Sequence, residues 1–288
     1  MLTYHMGGGL GMRLQKWLLA AVLALGVGGS AAAAEFASTV PTARVDYWQK
    51  READITAMLA NTKDLSAVKL VFLGDSITDF WHLGENPWFK GLYCGRAVWD
   101  ESFGGAVPAN NAINLGVSGD RIEHVLFRLL PASAGGKGEL DRADLNPDFV
   151  VLMLGINNSF DVENPAVDSI FAGVKTVVEA VHARKPGTRI LLQSLLPTND
   201  PVKNRDLVQP INAKLAALAK SPPFNTYVVW LDLYPAFVDT AGLQQTKLFN
   251  DALHPSEAGY RVWRDRLVPA LAAARYSRSG APSGRWPR

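Results

Sequence analysis

The chain has 288 residues, 48% apolar and 19% charged, proportions that fit one large globular domain and exclude a disordered or repetitive chain. Its 29 lysines and arginines face 27 aspartates and glutamates, and both excess cations, Arg13 and Lys16, lie in the first 34 residues, so the remainder is formally neutral. That balance argues against nucleic acid or an anionic membrane as the main partner, and the single cysteine, Cys94, excludes an intrachain disulfide and a cysteine-built zinc site.

Residues 1–34 differ in composition from the rest of the chain. Arg13 and Lys16 precede the apolar run 17–27, and four alanines stand at 31–34. A positive start, an apolar core and small residues at a cleavage point are the pattern of a secretory signal, with Met12 giving it a more usual length. The apolar core falls short of the roughly 20 residues that a membrane-spanning helix needs. Export to the periplasm or the extracellular space, with no stable membrane span after cleavage, is therefore expected. The expected domain is 35–276, and residues 277–288, rich in Ser, Gly, Pro and Arg, are expected to be a disordered tail.

Residues 35–45 read as an exposed lead-in, and 46–61 as an amphipathic helix with Trp48, Ile55, Met58 and Leu59 available for burial. Val68, Leu70, Val71, Phe72 and Leu73 form a first strand of the kind buried on both faces of a parallel sheet. It ends at Gly74-Asp75-Ser76. Residues 80–111 carry Trp81, Trp88, Phe89, Tyr93, Trp99 and Phe103 in no clean period; they form either a loop wall beside a site or a seal on one edge of the core.

A second strand at 112–115 ends in Gly116-Val117-Ser118-Gly119-Asp120, with Asp120 as candidate cap of a helix striped by Ile122, Val125, Leu126, Leu129 and Leu130. The loop 131–146 contains Gly-Gly-Lys-Gly but lacks both the preceding strand and the Ser or Thr of a nucleotide-binding loop. Residues 149–154 make the clearest buried strand and lead into Gly155-Ile156-Asn157-Asn158. Pro165 at a first helical position opens a long helix that Pro186-Gly187 closes. A strand at 189–195, a polar loop at 197–206, a helix at 207–220, a strand at 227–233 and a helix at 256–274 capped by Ser256 complete the series. Strict alternation of strand and helix implies an α/β fold: a parallel sheet with right-handed crossovers and helices on both faces.

Ligands bind at the carboxyl ends of the strands in such sheets, and four polar groups fall at or near those ends. Ser76 is a candidate nucleophile, although Gly-Asp-Ser alone equally describes a capped strand-to-helix turn. Serine needs a base, and His254 supplies a candidate, with Asp251 three residues earlier to hold its tautomer. The same two residues also suit a surface turn. Backbone N–H groups of Ser76 and Gly116 and the Asn157 amide are candidate donors to an oxyanion. His82, His124 and His182 have no partner pattern, and no His-x-x-x-His metal pair occurs.

Four blocks therefore stand in order: Gly74-Asp75-Ser76-Ile77, Asn114-Leu115-Gly116 with Gly119-Asp120, Gly155-Ile156-Asn157-Asn158, and Asp251-Ala252-Leu253-His254-Pro255. Together they resemble the SGNH hydrolases, the GDSL-type esterases and lipases, over residues 68–260. Gly119-Asp120, the run 125–129 and Gly-Ile-Asn-Asn are similar to the catalytic subunits of platelet-activating-factor acetylhydrolase. The resemblance implies a flavodoxin-like three-layer α/β/α sandwich with about five parallel strands, no metal or other cofactor, a Ser76–His254–Asp251 triad, and an oxyanion hole from Ser76, Gly116 and Asn157.

Two departures stand out. Asn158 replaces the aspartate usual in the third block, a change shared with the acetylhydrolase branch, and the aromatic segment 80–111 is longer than that branch suggests. The absence of Gly-x-Ser-x-Gly argues against the α/β-hydrolase fold. The expectation is an exported serine esterase acting through an acyl-enzyme on Ser76, on a short acyl group such as acetyl carried by a carbohydrate or lipid-like alcohol. The alternatives are an O-acyltransferase using the same residues, or an inactive glycan-binding protein that uses the tryptophan-rich segment.

Overall fold

The computed structural model describes residues 35–44, 48–160 and 163–278; the expected signal at 1–34 lies outside them. Five parallel strands form one sheet: β1 (Leu70–Gly74), β2 (Ala112–Gly116), β3 (Phe149–Met153), β4 (Arg189–Gln193) and β5 (Val228–Leu231). Their order is β2-β1-β3-β4-β5, with Gly74 of β1 paired to Gly116 of β2 on one side and to Met153 of β3 on the other. This is the flavodoxin-like order. The chain reverses direction across the sheet between β1 and β3, and the crevice at that switch is where such sheets bind ligands. β1 and β3 are buried along their whole length, which accounts for their unbroken apolar sequence.

The helices are α1 (Trp48–Asn61), α2 (Ser76–Asp79), α3 (Arg96–Ser102), α4 (Ile122–Leu129), α5 (Ala166–Arg184), α6 (Pro201–Lys203), α7 (Gln209–Lys220) and α8 (Glu257–Arg278). Right-handed crossovers put α4, α5 and α7 side by side on one face and pair α3 with α8 on the other. α5 buries Ile170, Val174, Val177, Val178 and Val181, and α8 buries Tyr260, Trp263, Leu267 and Leu271, each at helical spacing. No helix of the described residues is long and apolar enough to cross a membrane.

Several expectations are corrected. The lead-in is mostly exposed, as expected, but it is anchored at two points: Ser38 is buried with its hydroxyl on the Ser169 carbonyl, and Thr42 N–H donates to the Glu123 carbonyl. The segment 80–111 contains α3, whose seven residues are too few to show a period, and its aromatics divide. Trp81, Trp99 and Phe103 are buried against Phe72, Tyr260 and Trp263, whereas Trp88, Phe89 and Tyr93 are exposed. Within the expected loop 197–206, α6 and a π-helical turn, Asn204–Val208, already lead into α7. Pro165 precedes α5 as its N-cap residue instead of opening it. The last helix reaches Arg278, so residues 277 and 278 belong to it and not to a tail.

Asp120 is not a helix cap; Arg121 occupies that position. Asp120 is fully buried and accepts from Arg128 Nε at 2.9 Å, while Arg128 also reaches the Leu115 carbonyl at 2.9 Å and Glu139 at 2.5 Å. Arg128 itself has no exposed surface. One guanidinium thus ties the end of β2, the turn after it and the 139 segment. Replacing Arg128 with Met would leave Glu139 buried without its counter-charge and Asp120 with Arg44 alone, so the midpoint of urea unfolding should fall, corresponding to about 3–5 kcal/mol.

Candidate active site

β1 delivers Ser76 to the switch crevice as the first residue of α2, and Asp75 caps that helix by accepting the Ile77 N–H at 3.0 Å. Ser76 Oγ lies 2.8 Å from His254 Nε2. His254 Nδ1 lies 2.8 Å from Asp251 Oδ2, and Asp251 Oδ1 accepts the N–H groups of Leu253 and His254 at 2.8 and 2.7 Å. With Nδ1–H donated to the carboxylate, Nε2 is left to accept the serine proton. Burial tends to raise Asp251, but the imidazole and the two backbone donors outweigh it and hold the carboxyl at about 2. The acid stays ionised beside the base.

The base is supported from two sides. Phe80 stacks on the His254 ring at 4.8 Å and 26°, and Trp88 stacks on Phe80 at 5.5 Å and 27°. Asn250 N–H closes the loop on the His254 carbonyl, while its side chain donates to the Tyr93 carbonyl. Tyr260 of α8 donates its hydroxyl proton to the Ile77 carbonyl at 2.8 Å, locking the nucleophile helix against the helix that follows His254.

The expected oxyanion donors are placed differently from one another. Gly116 N–H is taken by the Asn114 side-chain oxygen at 2.8 Å, and the Asn114 amide bonds the Thr78 and Asp79 carbonyls. A Cβ at Gly116 would sit 2.4 Å from Asp79 N, so this glycine permits backbone contact between β2 and α2. Its expected donor role is corrected on that ground. Gly119, at φ +78° in the same turn, has an N–H that makes no hydrogen bond among the described residues, and the same is true of Ser76 N–H. Arg44 stiffens that turn by binding the Ser118 carbonyl and Asp120.

Asn157 stands after β3 and donates one amide hydrogen to the Asp120 carbonyl at 2.8 Å, which fixes the side chain and leaves its second hydrogen available. Asn158 accepts the Ile122 N–H and donates to Glu123 at 2.9 Å. An aspartate there would meet Glu123 with like charge, which gives the unusual residue a local reason.

The other described histidines have structural places. His124 Nδ1 accepts the Arg121 N–H, His182 stacks on Tyr227 at 3.7 Å, and His82 lies 3.5 Å from Asp79. Among the described residues no group of three or more His, Cys, Asp or Glu is arranged to hold a metal ion. Cys94 is buried. Sequence reasoning missed Gly119, visible as the second glycine before the helix, and Phe80, four residues and so about one turn after Ser76.

A hydroxyl, an imidazole and a carboxylate in hydrogen-bonded series, at the carboxyl edge of a parallel sheet, define the serine hydrolase class. The chain belongs to the GDSL-like Lipase/Acylhydrolase family, whose model matches residues 72–262, and is a GDSL/SGNH-type ester hydrolase. It is 31% identical over 204 residues to platelet-activating factor acetylhydrolase IB subunit alpha1 of Pongo abelii and 30% identical to that of Homo sapiens. Each match covers 70% of this chain and 74% of the relative. Among solved structures, a GDSL-like lipase from Bacteroides thetaiotaomicron VPI-5482 matches with a TM-score of 0.55 and 22% identity, covering 78% of this chain and 97% of that one. A variant of an acetyl-xylooligosaccharide esterase from Geobacillus Stearmophilus matches at 0.50 and 21%, covering 71% and 94%. These two likenesses concern the fold.

Asp75, next to the nucleophile, is the most perturbed carboxyl of the site. Complete burial lifts it to about 7, against the Ile77 N–H and the nearby His254, and its Oδ2 has no partner among the described residues. The unfolded group ionises near 3.8. Between those values the native state holds the proton and the unfolded state does not, so this contribution to stability is full below about 4 and is lost as pH rises through 7. Urea midpoints measured from pH 4 to 8 should decline less steeply in Asp75→Asn, which keeps the cap acceptor, than in the unaltered protein.

Proposed function

We propose that the protein is exported and hydrolyses a short-chain carboxylic ester, acetyl being the favoured acyl group, on a carbohydrate or lipid-like alcohol. The carrying observation is the 2.8 Å approach of Ser76 Oγ to His254 Nε2, with Asp251 on the far side of the ring. His254 takes the Ser76 proton as Oγ attacks the ester carbonyl. The tetrahedral oxyanion is met by the N–H groups of Ser76 and Gly119 and the free amide hydrogen of Asn157. His254 then gives its proton to the departing alcohol, leaving an acyl-enzyme on Ser76. Water, deprotonated by the same imidazole, releases the acid and restores the serine.

Acetyl is supported by the acetylhydrolase name of relatives about 30% identical over 70% of the chain. Export rests on the composition of residues 12–34.

Hydrolysis of p-nitrophenyl esters of increasing acyl length tests this reading. Activity should be highest on acetate and fall with chain length. Ser76→Ala and His254→Ala should each lose on the order of 10³-fold or more in kcat, and a Ser76→Ala protein as active as wild type would sink the mechanism. Asn157→Ala should reduce kcat by roughly 10²-fold with little change in KM, because its spare hydrogen is needed only when the oxyanion forms.

A further inference from the structure

A cleft of about 520 Å³ opens between α1 and the turn after α2, and Phe80 belongs both to its lining and to the stack on His254. Its outer wall is Trp88, 57% exposed although one face of its ring lies on Phe80. The opposite face is therefore presented to solvent as a flat apolar plate. The alcohol of a bound ester must lie toward His254, which protonates it, and the stack His254–Phe80–Trp88 joins that ring to the wall of the cleft. The cleft is larger than an acetyl group requires, so it has room for an alcohol component.

The cleft's charges identify what it would take. Lys50 and Arg51 are matched by Asp54 and Asp79, and Arg51 Nε is already on Asp79 at 2.9 Å. A phosphate-bearing headgroup would find no net positive charge there. Gln49, Lys50 and Asp54 line the cleft from α1, and their side chains make no hydrogen bond or ion pair among the described residues. A flat apolar ring lining the same cleft as uncommitted donors and acceptors suits a molecule with an apolar face and a rim of hydroxyls. Resting on the ester-hydrolase reading, the geometry points to a saccharide as the alcohol component, one pyranose ring stacking on Trp88 with its hydroxyls on Gln49, Lys50 and Asp54. The exposed Phe89, Leu92 and Tyr93 nearby are the features a lipid surface would use instead.

Acetylated xylotetraose, a neutral pyranose chain, and p-nitrophenyl acetate are the probes. Trp88→Ala should lower kcat/KM on the sugar ester, relative to p-nitrophenyl acetate, by about tenfold and mainly through KM, whereas Trp88→Phe should recover most of the loss. In the inert Ser76→Ala protein, acetylated xylotetraose should change tryptophan fluorescence, and the change should vanish in Ser76→Ala/Trp88→Ala. An unmoved ratio, or no fluorescence change in Ser76→Ala, overturns the saccharide site. So does Trp88-dependent sedimentation with phosphatidylcholine vesicles in the absence of any sugar effect, which would assign the patch to lipid. A wild-type protein inert on every ester would instead defeat the hydrolase reading, and the fluorescence titration would still decide the sugar site.

Discussion

The hydrogen bond from Ser76 to His254 joins residues 178 positions apart, and most of the structure around it serves to bring those positions together. Parallel pairing fixes where Ser76 emerges, because β1 lies between β2 and β3 and its end is flanked by theirs. The histidine comes from the other end of the fold, on the loop before α8. α8 is brought to the nucleophile by the Tyr260–Ile77 hydrogen bond, by the Trp263 indole donating to Gln193 at the end of β4, and by the shared aromatic cluster beneath. The geometry of the pair thus depends on core packing as much as on the polar loop that carries the base.

The turn after β2 is held by a different kind of force. Arg44, Arg128 and Asn157 all engage Asp120 or its immediate neighbours, so the loop bearing the Gly119 N–H is fixed by charge and amide bonds and not by apolar burial. A donor that must meet charge only in the transition state gains from such rigidity, since it has no reorganisation left to undergo. Burial of ionic groups is a poor route to stability but a good one to a single geometry when every partner is in place.

Much of this is legible in the sequence. The strands are visible because parallel strands buried on both faces are short continuous apolar runs, and the site residues because they sit where those runs stop. What escapes has physical reasons. α3 is too short for periodicity, and in the irregular segment nothing along the chain separates Trp81, which fills the core, from Trp88, which faces solvent. That difference is set by Tyr260 and Trp263, near the other end of the chain. Gly116 and Gly119 stand three apart in one turn, and only the Asn114 side chain, folded back on Gly116, distinguishes the engaged amide from the open one. Asp120 resembles a cap because the cation that claims it lies on the next helix, eight residues on.

The aromatic cluster under the nucleophile has a consequence for how the molecule looks to light. Trp81 lies 5.1 Å from Trp263 and 6.3 Å from Trp99, with rings inclined at 56° in both pairs. Indoles held this closely at fixed skewed angles, in an asymmetric setting, produce near-ultraviolet circular dichroism that disappears when tertiary packing loosens. Trp263 belongs to the helix that follows the base and Trp81 to the turn that follows the nucleophile. The ellipticity of this protein is therefore a spectroscopic gauge of whether the segments carrying its two ends of chemistry remain packed together, readable with no substrate in the cuvette.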